Sequence, residues 1–596
     1  MKSSVVALTL GTACLAAGVA AVLIWERPNA ERPVSAARFA PAETLLFAEC
    51  PDLAATAGRW RETDLSQMLQ EPEVQAFLAQ PLAALENGKG FPAALADLAR
   101  TQPRQAFLAV ADLNQNMPHA VGGLALGGGR AAMDALIAQA RAQVQTASPQ
   151  GQWERQDYGG FQIESFRTGG ITLAWAFAKD WYFAANDVEL LKGTLDRFTG
   201  KLATSLENAP FYRRCGRFLP ARPDFRLFAQ SGALSDRLLT HWITPAQETQ
   251  PEEKSAAQPS IRAAALASRF EGRRMRDTLF LYRPGAKLEP SLNGKTLGLT
   301  TPTTLFYGAL APRAASTTPS QRGNPKQPAP GAIPVEFLQA AALNPPPATL
   351  AQFQTAFGPE HALLLDWPEK TAQPGLFLAS EIRDPAAARR FVESAFRAWA
   401  RSEASGVSLW TFAGNSPDQA RFHPSVALTS RHFLAGLSPE SLQPFASLAN
   451  APLPGGPTLQ QSPAFLGAMA AVPRPQTAVA YLDARPLFER LYGILRPAAL
   501  LWGNGMQPPG GAVDFSKLPS AEVIARHLSP LSLSAVQTEG GTLVESTGPV
   551  SFLEIGAGLG GIVLRAALPL KPSPGVRKDA PRQPMAPLEG PAPSTP

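Results

Sequence analysis

Apolar residues along this chain gather in short runs broken by turn formers, and only a few stretches carry helical spacing. Thr44–Glu49 reads as a short apolar strand. Strand-like runs follow at Gln105–Ala111, Gly122–Leu126, Phe161–Phe166, Ile171–Ala178 and Trp181–Ala185. Between them Val74, Phe77, Leu78, Leu82 and Leu85 share one face of a helix predicted over Pro72–Glu86, with Pro72 suited to the first helical position. A second helix is predicted from Asn186, carrying Leu190, Leu191, Leu195 and Phe198 and ending before Gly200. Ala263–Phe270 and Thr278–Tyr282 predict a hairpin around Glu271-Gly272.

The same succession returns downstream. Strands are predicted at Thr304–Ala309, Ala362–Asp366, Leu376–Ile382, Ser408–Phe412, Val426–Thr429, Ala478–Leu482, Pro530–Gln537 and Thr542–Glu545. Individual residues repeat with it: Leu206, Pro210, Leu219, Pro220, Phe228, Leu234 and Leu238 have counterparts in Leu459, Pro463, Val472, Pro473, Tyr481, Leu487 and Leu491. Asp112 matches Asp366, and Thr278-Leu279 matches Thr542-Leu543. Strands follow one another too directly for alternating βαβ units. The expected fold is therefore α+β: two tandem diverged copies, residues 40–298 and 299–550, of an antiparallel-sheet domain with helices on one face. Pro-rich insertions at Thr244–Pro259, Ala314–Pro334 and Gln507–Val513 read as loops, and residues 571–596 as a disordered Pro-rich tail.

The amino terminus adds a location. Lys2 precedes an uncharged run of 21 residues, Val5–Trp25, before Glu26-Arg27-Pro28. As a helix this run spans about 31 Å, enough for a bilayer core. Residues 1–27 are read as an N-terminal transmembrane helix, a signal anchor of the inner membrane with the bulk of the chain extracytoplasmic (periplasmic). The alternatives are cleavage near Val19-Ala20-Ala21, which makes the chain secreted, and lipidation at Cys14. Of the remaining cysteines, Cys50 and Cys215 are open to two readings, one disulfide or two buried thiols.

Composition fits this picture. Charged residues make up only 17% of the chain, and 58 prolines and 48 glycines favour turns and loops over a bundle. The net charge of +6 is spread without a dense basic stripe, so nucleic acid is not an expected partner. The short cluster Arg273, Arg274, Arg276 reads as a solvated hairpin face.

Chemical motifs are lookalikes. Gly556-Ala557-Gly558-Leu559-Gly560 resembles a cofactor loop, but only 36 residues follow Gly560, too few for the Rossmann domain such a loop opens. Pro549–Leu570, including the Gly-rich apolar segment 551–570, is instead a candidate second membrane contact, opposed by Glu554 and Arg565. Gly127-Gly128-Gly129 follows a strand as phosphate cradles do, yet its counterpart Glu381-Ile382-Arg383, within Leu378–Asp384, lacks glycine, which favours a tight turn. Gly294-Lys295-Thr296 copies the end of a P-loop but lacks the earlier glycine, since Glu289 stands there. The six histidines, His119, His241, His361, His423, His432 and His527, show no zinc-ligand spacing. Glu62, Asp64, Glu71 and Glu73 read as helix-start and surface charges. No catalytic, cofactor-binding or metal-binding residue is assigned.

Trp60, Thr63, Leu65, Leu69, Pro72, Glu73, Val74, Phe77 and Leu78, after Thr44–Phe47 and Pro51-Asp52-Leu53, form a familiar pattern. It resembles the start of a large family of uncharacterised bacterial envelope proteins catalogued only as a domain of unknown function, and Trp181–Phe183 with Glu189-Leu190-Leu191 is similar too. The resemblance covers residues 40 to 550 and implies an anchored or secreted α+β protein, with no catalytic residues to carry over. The expected role is a non-enzymatic scaffold or binding module of the bacterial envelope. Its expected partners are the bilayer, through the N-terminal helix, and an envelope protein or lipid. The alternatives are a carrier or sensor of an apolar ligand such as a lipid, and an envelope hydrolase with a non-local site.

Overall fold

The computed structural model describes residues 34–87, 100–113, 118–230, 232, 261–285, 290–311, 349–368, 371, 374–404, 407–412, 423–450, 457–470, 472–473, 476–503 and 514–553. The expected anchor (1–27), the three Pro-rich loops, the tail, the Gly-rich segment beyond Leu553 and Leu234 and Leu238 lie outside the described residues. No helix among the described residues is long and apolar enough to cross a membrane.

Twenty strands among the described residues form one continuous antiparallel sheet. The first half supplies β1 (Leu46–Cys50), β2 (Pro103–Leu113), β3 (Pro118–Leu126), β4 (Gln152–Tyr158), β5 (Phe161–Thr168), β6 (Ile171–Ala178), β7 (Trp181–Ala185), β8 (Phe225–Ala229), β9 (Ala263–Glu271) and β10 (Arg274–Tyr282). The second supplies β11 (Thr304–Leu310), β12 (Phe357–Asp366), β13 (Gly375–Ile382), β14 (Ala400–Ala404), β15 (Val407–Thr411), β16 (Ser425–Leu428), β17 (His432–Gly436), β18 (Ala478–Leu482), β19 (Leu531–Thr538) and β20 (Gly541–Gly548).

In the first half neighbours run β4-β5-β6-β7-β3-β2-β1-β8-β9-β10. In the second they run β14-β15-β16-β17-β13-β12-β11-β18-β19-β20, the same order strand for strand. The two series meet where β10 pairs with β20, from Met275 opposite Gly548 to Tyr282 opposite Gly541. Each half thus covers one edge of the other, at β10 and β20, and edges are the part of a sheet most prone to unwanted pairing. Both hairpins turn in the same register, Glu271 opposite Arg274 and Thr538 opposite Gly541. Superimposing those turns makes Glu545 the counterpart of Thr278, three positions beyond the Thr542 that sequence matching selects. Thr278 and Glu545 are themselves opposite one another, so an approximate two-fold axis passes through that pair.

Helices cover both faces of the sheet, which corrects the one-face expectation. The helices among the described residues, in chain order, are α1 (Leu53–Glu62), α2 (Asp64–Leu69), α3 (Pro72–Asn87), α4 (Arg130–Ala147), α5 (Val188–Thr199), α6 (Pro210–Gly216), α7 (Thr349–Ala356), α8 (Pro385–Ala395), α9 (Pro439–Asn450), α10 (Pro463–Met469), α11 (Ala484–Gly503) and α12 (Ala521–Ala525). On one face Leu191 and Leu195 of α5 and Tyr212 and Cys215 of α6 pack on Phe47, Phe107, Phe183 and Phe280. On the other, Leu53 and Ala57 of α1 and Met133 of α4 pack on Ala106, Leu124 and Leu126. The second half repeats this with α9 and α10 against Tyr307, Phe377 and Tyr481, and with α7 and α8 against Leu378, Trp410 and Phe433. The reason is in the central strands. Val121–Leu126 and His432–Gly436 are buried at every position, and unbroken apolar runs of that kind need cover on both sides.

Matched residues occupy matching places. Leu206 and Leu459 are each the buried first residue of a 3-10 turn, and Pro210 and Pro463 each begin a helix. Phe228 and Tyr481 each face the core from the strand that follows.

Candidate functional site

The glycines after β3 serve packing. A side chain at Gly129 would stand 2.0 Å from the Thr101 carbonyl oxygen, and one at Gly127 would stand 2.9 Å from that of Gln102. The Gly127 amide donates to that same Gln102 oxygen at 2.8 Å. The loop is a close backbone crossing over residues 101–102.

The Gly294-Lys295-Thr296 segment does form an anion-holding nest, and a carboxylate of the same chain fills it. The amides of Asn293, Gly294 and Thr296 donate to buried Glu360 at 2.9, 2.8 and 2.8 Å, and the Thr296 hydroxyl joins them. Beside it Asn293 donates to Glu381 at 2.8 Å, and Lys295 pairs with the same carboxylate. A cleft of about 290 Å3 opens next to this nest, lined by Leu292, Asn293, Tyr307, Phe465 and Val479.

Two histidines flank this region from opposite faces of the sheet. His361 shares a 2.8 Å hydrogen bond with the Ser380 hydroxyl, and His432 stands opposite Glu381. Burial pushes both imidazoles down to about 4, so both are neutral at pH 7. Neither ring nitrogen of His432 has a hydrogen-bond partner among the described residues. No group of three or more His, Cys, Asp or Glu among the described residues is placed to hold a metal ion.

The larger groove, about 460 Å3, lies between α4 and strands β5 and β6 of the first half. Arg130 sits 3.4 Å from the Phe177 ring centre and 3.5 Å from the Asp134 carboxylate. Arg141 and Arg155 converge on Glu164, Arg155 at 2.8 Å, and Arg141 also covers Trp153. Three guanidiniums facing two carboxylates leave an excess of positive charge, suited to an anionic group. The groove's described lining contains no Ser, Cys, His or Lys nucleophile. In the second half the corresponding space beside α8 is filled by Phe391, Phe396, Trp410 and Phe433.

Of the four residues read as helix-start and surface charges, Glu62 is exposed, and Asp64, Glu71 and Glu73 make structural contacts. Asp64 is buried and accepts from Arg273 at 2.6 Å, which ties α2 to the β9–β10 hairpin. Glu71 accepts from Arg526 at 3.0 Å and lies 2.6 Å from His527, while Glu73 accepts from the Ser520 amide at 2.6 Å. These contacts clamp the start of α3 in the first half to residues around α12 in the second. Arg276, part of the supposed solvated cluster, pairs with Glu545 across the β10–β20 seam at 2.7 Å. Cys50 and Cys215 are free and buried in different clusters on opposite faces, and burial raises both thiols to about 12.

No family model matches the chain. No curated protein matches it either. Two solved structures do, crystal forms I and III of TP0453. Form I is 11% identical over 43% of this chain and 81% of its own, and form III 9% identical over 43% and 83%, each with a TM-score of 0.24. A superposition that loose carries no argument about fold or role.

Proposed function

We propose that the chain is a membrane-tethered, extracytoplasmic platform, a non-enzymatic binding module of the envelope that arose by tandem duplication of one α+β domain. The observation that carries this reading is the seam. With β10 paired to β20, the halves are one sheet rather than two beads on a linker, so surfaces on either half keep fixed spacing. The identical strand order of the halves supports the duplication. The motif lookalikes support the non-enzymatic reading, since Gly127 and Gly129 pack against Gln102 and Thr101 and the amides of Asn293, Gly294 and Thr296 hold Glu360. The tether rests on the uncharged run Val5–Trp25.

The test places a cysteine at exposed Arg167 and treats intact spheroplasts with a membrane-impermeant maleimide. Labelling without lysis, together with retention in the membrane pellet after carbonate extraction, is the expected result. Labelling only after lysis, or release by carbonate, would overturn the reading.

A further inference from the structure

The groove beneath α4 has a counterpart in the second half, and the two copies fill it in opposite ways. Strand register shows which residues correspond. Arg155, Glu164, Trp175 and Ala184 stand side by side on β4, β5, β6 and β7. Arg401, Trp410, Val426 and Ala435 stand in the same places on β14, β15, β16 and β17. Followed across the sheet, the two rows end at Leu227 and Ala480, next to the matched pair Phe228 and Tyr481. Glu164 therefore answers to Trp410. On the covering helices, Met133 and Ile137 of α4 and Ala388 and Val392 of α8 sit at the same steps from the helix start and pack inward. That alignment makes Phe396, just past the end of α8, the counterpart of Arg141.

In the second half Phe396 and Trp410 are buried and close the space. In the first half a guanidinium and a carboxylate stand in their places, and about 460 Å3 stays open. Packed rings stabilise a core, whereas partly buried charges add little, so the charged copy is the one arranged for a ligand.

The lining defines that ligand. Arg141 and Arg155 both pair with Glu164, and Arg130 faces Asp134. All five line the groove itself, so their surplus of one positive charge lies where a ligand would sit. The terminal amines of Arg155, on a side chain 62% exposed, make no hydrogen bond among the described residues. Ile137, Ala138, Phe161 and Trp175 supply apolar walls. A surplus of one charge beside two fixed carboxylates suits a monoanion and disfavours a phosphate dianion. Guanidiniums match the two oxygens of a carboxylate.

We propose that the groove between α4, β5 and β6 binds a small organic monoanion, one carboxylate on an apolar body. Arg155 and Arg141 hold the carboxylate, and the body lies against Trp175 and Ile137. The site belongs to the first half alone and depends on neither the tether nor the seam.

The experiment is isothermal titration calorimetry of the purified full chain with 2-naphthoate, with neutral 2-naphthalenemethanol and with inorganic phosphate. Naphthoate should bind saturably at one site, the alcohol about tenfold more weakly, and phosphate not at all. Arg155→Gln should weaken naphthoate binding about tenfold, and Glu164→Gln, which releases both guanidiniums, should tighten it by about the same factor. Arg141→Phe/Glu164→Trp, which installs the second half's residues, should abolish it. Circular dichroism reports the fold of each variant, and if the double variant does not fold, Arg155→Gln and Glu164→Gln decide. No naphthoate binding, equal affinity for the alcohol, binding of phosphate, or an unchanged affinity in Arg155→Gln or Glu164→Gln would overturn the proposal.

Discussion

Mild acid should strike the second half through His361 and His432. Both are buried, and their pKa values fall from the ordinary 6.5 to about 4. A depressed histidine pKa means the unfolded chain binds the proton first. Stability is therefore intact above 6.5 and drains as pH falls from there towards 4. One pKa unit corresponds to about 1.36 kcal/mol, so full protonation removes roughly 3 kcal/mol per imidazole. At pH 5 linkage gives about 2 kcal/mol each, or about 4 kcal/mol for two independent sites, a large part of the 5–15 kcal/mol of a typical domain. The opposing pull of Glu381 on His432 is already contained in that value. The assay is urea unfolding at pH 7 and pH 5, followed by tryptophan fluorescence, for the wild-type chain and for His361→Gln/His432→Gln. The variant should lose less stability between the two pH values by about 4 kcal/mol. Parallel pH dependences in the two proteins would refute the reasoning.

Asp277 at the seam is buried, and desolvation raises its pKa above the usual 3.8, so its ionised form weakens the fold as pH rises past that value. Asp277→Asn should therefore raise the Tm at pH 7 and leave it unchanged near pH 3, which differential scanning calorimetry reads directly. Gly129→Ala drives a methyl group into the Thr101 carbonyl and should destabilise the chain by several kcal/mol in denaturant titrations, whereas alanine at Gly58, where nothing lies within 4 Å, should be tolerated.

Much of the sheet was legible because many of its strands are short, apolar and bounded by polar or turn-forming residues. Ile171–Ala178, Trp181–Ala185 and Ala478–Leu482 begin and end where periodicity places them. Strand β4 escaped notice because it is an edge strand: its sequence, Gln152–Tyr158, is mostly polar, and among the described residues it pairs with β5 alone. Cover on both faces was also visible in the runs around Gly122–Leu126 and Phe433–Gly436, but the antiparallel assignment suggested a solvated side. Long-range pairings left no local trace. Nothing near Asp64 announces Arg273, and nothing near Glu360 announces the amides of Asn293–Thr296, because the partners are far apart in sequence. Helix α11 registered only as the repeat partners Leu487 and Leu491, since its exposed leucines look in sequence like those of any core stripe.

The central claim joins an architecture to a location, and one cysteine pair tests both. Leu281 and Thr542 stand opposite one another across the seam, a separation a disulfide spans. Leu281→Cys/Thr542→Cys in the full chain is expressed in cells, trapped by alkylation at harvest, and mapped by mass spectrometry of the digest. The account predicts a 281–542 disulfide already formed in the cell, since the strands are adjacent and the proposed extracytoplasmic compartment is oxidising. A pair that stays reduced in cells, and resists oxidation in the purified folded protein, would contradict the seam. A pair reduced in cells that oxidises readily once purified would contradict the location.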